Sequence, residues 1–143
     1  MLGVDPETVR IIREWVQKAE NDLSNAAYVL RLGKRCPTDT VCFHAQQCVE
    51  KYLKAMLVNH ERDIPKTHAL SVLNAQLPAG ARPDLTPEEE QLLTDYATIT
   101  RYPGDYAAIS LTEARQAVKI ARRVRRHARK HLPKETWQAA RDK

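Results

Sequence analysis

The sequence is poor in the residues that build β-rich or covalently cross-linked domains. Its 143 residues include only four glycines and one phenylalanine, which argues against a β-rich fold with many tight turns. The three cysteines, Cys36, Cys42 and Cys48, are odd in number and form no CxxC pair. We therefore expect no disulfide scaffold, and we predict that the cysteines are small buried apolar residues in a reducing, cytoplasmic setting.

Long apolar runs and targeting signals are missing as well. No run approaches the roughly 20 apolar residues that cross a bilayer, so we expect no contact with a membrane. The N-terminal stretch MLGVDPETVRII has no basic region followed by an apolar core, and is therefore not typical of a signal peptide. The five histidines are scattered along the chain, and we predict neither a metal site nor a cofactor.

Helical periodicity dominates what is present. Apolar residues make up 43% of the chain and charged residues 29%, which is typical of a globular domain. Helix-start signals and apolar spacing predict helices at about 6–32, 39–60, 68–77, 87–99 and 111–131. The second of these is apolar over the widest arc, which favours a central position. We therefore predict an all-α, up-and-down bundle of four main helices and one short helix over residues 1–133, followed by a flexible C-terminal tail at 134–143.

Positive charge is concentrated in the last predicted helix. The net charge is +5, and no acidic residue lies between Glu113 and Glu135. Basic residues recur there at steps of three and four and so form one stripe: Arg115, Lys119, Arg122, Arg126 and Arg129, widened by Arg123, Arg125 and Lys130. Such a stripe is either a solvated face or a contact surface for nucleic acid or an acidic partner protein.

Four segments, taken in order and spacing, resemble the HEPN domain family of bacteria and archaea. The segments are AENDL at 19–23, FHAQQCVEKYLKA at 43–55, PKTHAL at 65–70, and RYP at 101–103 within 96–110. The resemblance covers roughly residues 15–130. It implies a bundle of four to five helices, usually a homodimer, often encoded beside a minimal nucleotidyltransferase in a toxin–antitoxin or related two-component system.

The resemblance also implies where a ribonuclease site would lie. Many family members are metal-independent ribonucleases, with an arginine and a histidine that are separated by four to six intervening residues. Arg101 matches that arginine by its place after the fourth helix. The expected histidine positions hold Tyr106, Ala107 and Ala108, and neither alanine nor a tyrosine of ordinary pKa is an effective base at neutral pH. We therefore expect the standard site to be absent.

Other residues remain as candidates for binding or catalysis. Arg101 beside Tyr102 can bind phosphate while the ring stacks on a base. Both residues can equally have a structural role, with Arg101 capping helix-end carbonyls or bridging two subunits and Tyr102 packing in the fold. His68, alone or with His44, is a weak candidate for proton transfer.

Three functional hypotheses follow from the sequence. We favour binding of nucleotide, RNA or a nucleotidyltransferase through Arg101 and the basic stripe, over an enzymatic function. The alternatives are a ribonuclease toxin in which a relocated base such as His68 works with Arg101, and a module for protein interaction or dimerisation only.

Overall fold

A computed structural model describes residues 5–98 and 108–138. Its helices are α1 (Pro6–Leu30), α2 (Thr38–Asn59), α3 (Leu70–Ala75), α4 (Pro87–Thr98) and α5 (Leu111–His131). These ranges contain no strand. The prediction of an all-α bundle with four main helices and one short helix is therefore confirmed.

Side-chain caps explain where three of the four main helices begin, namely α1, α4 and α5. The Asp5 carboxylate accepts the backbone N–H groups of Glu7 and Thr8 at 3.1 and 3.2 Å. Thr86 and Glu89 exchange hydrogen bonds of 3.1 Å in a capping box, which satisfies two backbone donors that the helix cannot pair internally. The Ser110 hydroxyl accepts the N–H of Glu113 at 3.0 Å. These signals are local in sequence, which is why they could be recognised without a structure.

The turn after α1 depends on a glycine. The helix ends at Leu30, two residues before the predicted end, and Gly33 follows with a φ of +61°. This left-handed conformation is open to glycine at little cost and strained for most other residues.

Helix α2 forms the centre of the bundle, because it packs against α1, α3, α4 and α5. Its largest side chains, Tyr52, Leu53, Met56 and Leu57, have no exposed surface. The prediction of a central second helix is thereby confirmed.

The three cysteines are free and buried, as predicted. Burial raises the pKa of the Cys42 thiol to about 12 and raises the pKa of Cys48 well above its ordinary value. Since the thiolate is the reactive form, we expect both thiols to be unreactive in the folded domain.

Residues 134–138, placed in a tail by the sequence, pack against the bundle. Lys134–Thr136 form a single 3-10 turn, and Thr136 has no exposed surface. The Arg13 guanidinium donates to the Glu135 carbonyl at 2.8 and 3.2 Å, and Trp137 lies against the core. The rest of the predicted tail, residues 139–143, lies outside the described residues. Within the described ranges, every helix is too short or too polar to cross a bilayer.

Candidate functional site

Four cations of α5 form an exposed row on the face opposite the core. Arg115, Lys119, Arg122 and Arg126 are all solvent-exposed, and they are called here the basic row. No carboxylate of the described residues forms an ion pair with any of them. Steps of three and four residues place successive charges one helical turn apart, so the row is a continuous strip of positive potential.

The arginines that flank the row on either side are paired. Arg123 meets Glu89 of α4 through two hydrogen bonds of 2.9 and 3.1 Å. Arg125 meets Glu20 of α1 in the same two-pronged way, at 2.8 and 3.1 Å. The hydrogen bond from Arg123 lowers the pKa of Glu89. Acids on α4 and α1 therefore pair with the arginines on either side of the basic row, while the row itself receives none of them.

Arg129 differs from the other predicted members of the stripe. Its guanidinium lies 3.6 Å from the Glu20 carboxylate and 5.0 Å from the centre of the Trp137 ring. Its Nε is buried without a hydrogen-bond partner among the residues described. Arg129 therefore belongs to the contact between α5, α1 and the C-terminal turn, while the exposed part of the stripe consists of the basic row with Lys130 at its end.

A second polar cluster surrounds a buried carboxylate on α2. The Glu50 side chain is only 3% exposed and accepts hydrogen bonds from Gln46 at 2.9 Å and Lys54 at 2.8 Å. Its Oε1 also lies 2.9 Å from Nδ1 of His68. Burial alone would raise the pKa of Glu50, but the hydrogen bonds from Lys54, His68 and Gln46 outweigh it and hold the pKa below its ordinary value. Glu50 and Lys54 are four residues apart on α2, a spacing that brings opposite charges together on a helix, and their contact lies on a largely buried face.

This cluster has the elements of an acid–base site. The carboxylate fixes one ring nitrogen of His68, while the imidazole side chain is 61% exposed. A histidine oriented in this way presents its second nitrogen to a substrate as a base. Lys54 adds a cation beside it, and its ammonium lies 5.3 Å from the centre of the Trp15 ring. The sequence pointed to His68 but gave no sign of Glu50 as its partner.

His44 is held by a different carboxylate. Its Nδ1 lies 2.8 Å from Asp22, and Lys51 pairs with the other oxygen of the same carboxylate. His44 and His68 are therefore held by different carboxylates. In the described part of the chain no contact joins the two histidines, so the structure does not support direct proton transfer between them.

Arg101 and Tyr102, with Tyr106 and Ala107, lie outside the described residues. The segment that carries them joins α4 to α5, whose facing ends are linked by a hydrogen bond of 2.6 Å from the Tyr96 hydroxyl to Glu113. Burial, followed by this bond, raises the pKa of Tyr96.

One pair of histidines has a spacing that also occurs in metal sites. His127 and His131 are four residues apart on α5, with ring centres at 4.3 Å. Nε2 of His127 already lies 2.7 Å from the Ala81 carbonyl. Residues 5–98 and 108–138 contain no group of three or more histidine, cysteine, aspartate or glutamate side chains placed to hold a metal ion.

Comparison with known proteins identifies the fold. The sequence model of the HEPN domain matches residues 12–131. The chain belongs to the HEPN domain family. The resemblance found in the sequence over residues 15–130 is thereby confirmed.

A solved structure supports the assignment. This HEPN domain is similar to the crystal structure of TT1696 from Thermus thermophilus, with a TM-score of 0.70 and 27% sequence identity. The similarity covers 85% of this chain and 98% of TT1696. No curated protein gives a significant match.

Proposed function

We propose that this HEPN domain binds nucleotides or RNA through the basic row of α5, without the standard ribonuclease site of the family. One observation carries the proposal: four exposed cations on one helical face have no acidic partner among the described residues, although the fold provides acids to the arginines on both flanks. The row runs from Arg115 to Arg126, which corresponds to about 16 Å of helix. A strip of this length can follow the phosphates of several nucleotides.

The same face also fits an acidic surface on a partner protein. The family resemblance points to a minimal nucleotidyltransferase in a two-component, toxin–antitoxin-like system, and to a homodimer. Both partners would be recognised by charge, so salt dependence alone does not separate RNA from protein. Binding to purified RNA with no protein present does separate them.

The test is binding of a short unstructured RNA by fluorescence anisotropy at a series of salt concentrations. The variant is Arg122→Ala with Arg126→Ala. Each phosphate contact with single-stranded nucleic acid contributes about 0.7 to the slope of log affinity against log salt, so the double variant should bind more weakly and lose about 1.4 from that slope.

A matched control removes the same charge elsewhere. Lys34 and Arg35 are exposed in the turn after α1, and their double alanine variant should leave both the affinity and the slope nearly unchanged. Equal effects of the two double variants would mean that only net charge matters, and the basic row would then not be the site.

The contact between His68 and Glu50 favours a second candidate function, a metal-independent ribonuclease with His68 as its base. A mixed RNA pool is incubated with the protein in chelator. Cleavage that is lost in His68→Ala but retained in His44→Ala supports this candidate, because both histidines are anchored by carboxylates and only one is proposed to act. Loss of cleavage in Arg101→Ala as well would indicate that Arg101 and His68 act in the same ribonuclease site. No cleavage by the unaltered protein rejects the candidate.

A further inference from the structure

An open pocket of about 330 Å³ lies beside α3 and α4, and neither the basic row nor His68 lines it. Asn74 and Glu90 contribute buried side chains to it, with 7% and 9% of their surface exposed. Its apolar walls are Pro83, Leu85 and Pro87, and Ser71, Arg82 and Asp84 complete the polar lining. Apolar walls around a few polar groups are typical of sites for small ligands.

The buried groups are hydrogen-bond acceptors without enough donors. The Asn74 amide donates its Nδ2 to Glu90 at 3.1 Å, and this contact fixes the orientation of the amide. Its Oδ1 is buried and has no hydrogen-bond partner in the described part of the chain. Leaving a buried acceptor unpaired costs free energy, so the pocket favours a ligand that brings donors to Asn74 and the adjacent carboxylate.

A donor group also lines the pocket. The Arg82 guanidinium is fixed by hydrogen bonds from Nε to the Leu77 carbonyl at 2.9 Å and from Nη2 to the Ala75 carbonyl at 3.0 Å. Its remaining N–H groups can meet an acceptor of the ligand. The pocket therefore combines adjacent acceptors with a cationic donor.

We propose that this pocket binds a guanine base of single-stranded RNA. Guanine carries two neighbouring donors, N1–H and the N2 amino group, on its Watson–Crick edge, and acceptors at O6 and N7. Adenine, cytosine and uracil each present mixed donors and acceptors on that edge, so none of them satisfies two adjacent acceptors. Bases of single-stranded RNA are commonly read in this way, splayed out and hydrogen-bonded along their edges.

The pocket is also fixed to the helix that would hold the phosphates. Nη1 of Arg123 donates to the Asp84 carbonyl at 3.0 Å, and Nε2 of His127 meets the Ala81 carbonyl. The loop that forms one wall therefore sits against the flank of α5, next to the basic row. Phosphates on the row and a base in the pocket would belong to the same strand. This inference rests on the proposed function, which it deepens by adding a base preference.

The first test uses the unaltered protein and three short RNAs made of cytidine and adenosine, one of them unmodified, one with a single central guanosine and one with inosine in that place. The guanosine RNA should bind about tenfold more tightly than the unmodified one. Inosine lacks the N2 amino group and should lose most of that gain. Equal affinity for all three RNAs would overturn the proposal while leaving binding through the basic row intact.

The second test locates the preference. Glu90→Gln replaces an acceptor oxygen by a donor amide and should abolish the guanosine preference, while binding to the unmodified RNA stays unchanged. The matched control is Glu88→Gln, since Glu88 is exposed on the same helix and the charge change is identical. A preference that persists in Glu90→Gln would place the base elsewhere and overturn the assignment.

Because Glu90 is buried, its substitution can disturb folding, and a measurement on the unaltered protein is needed as well. The side-chain amide resonances of Asn74 should shift in NMR spectra on addition of guanosine monophosphate and stay in place with adenosine monophosphate. No shift with guanosine monophosphate would reject the pocket. If RNA binding itself fails, the proposed function falls, and the guanosine monophosphate result still decides the pocket separately. Guanosine monophosphate that binds as tightly as the guanosine RNA would identify a free nucleotide, not RNA, as the ligand.

Discussion

Glu20 is the acid on which the packing of α5 against α1 most depends. Its carboxylate pairs with Arg125 in two hydrogen bonds, lies near Arg129 and accepts the hydroxyl of Tyr52, a side chain with no exposed surface. Glu20→Ala would leave a buried phenol and two partly buried guanidinium groups without their acceptor. We therefore expect this substitution to destabilise the domain far more than loss of a surface acid.

The magnitude follows from the burial of each partner. An unpaired buried hydroxyl costs about 1–2 kcal/mol. The side chains of Arg125 and Glu20 are 33% and 22% exposed, so water can partly solvate the freed cations, and their contribution is discounted to about 1 kcal/mol. The expected loss in the free energy of unfolding is about 2–3 kcal/mol, a large part of the stability of a small domain.

Urea unfolding followed by circular dichroism measures this loss. Glu14→Ala, which removes an exposed partner of Arg10, should leave the unfolding midpoint essentially unchanged. A double-mutant cycle with Tyr52→Phe tests the reasoning further, because without the phenol hydroxyl Glu20→Ala should cost less. A loss below about 0.5 kcal/mol, or a cost identical in both backgrounds, would refute this account of the contact.

Three further outcomes follow from the same structure. The pKa of Glu50 is lowered in the folded domain. The contribution of this carboxylate to stability is therefore complete above the ordinary glutamate pKa of 4.5 and is lost as pH falls through the folded value. Glu50→Gln should consequently reduce the loss of unfolding free energy at acidic pH. A thiol reagent should leave Cys42 and Cys48 unmodified in the native protein and label them quickly in urea, since their thiol pKa values are raised by burial. Truncation after residue 133 should lower the melting temperature by several degrees, because it removes the packing of Trp137 against the core. An unchanged melting temperature would show that the C-terminal turn is dispensable.

Sequence patterns predicted those parts of the fold that depend on near neighbours along the chain. Helix starts at Asp5, Thr86 and Ser110 were recognisable because the capping side chain and the N–H that it accepts are two or three residues apart. The short helix α3 was predicted too long, at 68–77. In the structure His68 turns towards Glu50, and the Thr67 hydroxyl accepts the N–H of Ala69, so the helix begins at Leu70.

Partners between helices could not be predicted in the same way. Glu20 and Arg125 are 105 residues apart, and no local spacing connects them. The sequence therefore grouped Arg129 with Arg115 and Lys119 on one stripe, while the fold turns Arg129 towards Glu20 and Trp137. No local spacing connected Glu50 with His68 either, since the two are 18 residues apart. No sequence pattern indicated the pocket at Asn74 and Glu90. Their acceptor groups form a candidate binding site only because the fold buries them side by side.

The distribution of acids around α5 is the strongest physical argument for a polyanionic ligand. Like charges at helical spacings of three or four residues destabilise by about 0.2–0.5 kcal/mol for each pair, so the basic row, with three such pairs, costs about 1 kcal/mol in low salt. Acids on α1 and α4 relieve the flanking arginines, but the row faces away from the core and is relieved only by what comes from solution. Neutralising substitutions in the row should therefore leave the domain as stable or slightly more stable, while they weaken its binding to RNA. Such an opposition between stability and binding is expected of a functional surface and would not arise if the row were only a solvated face.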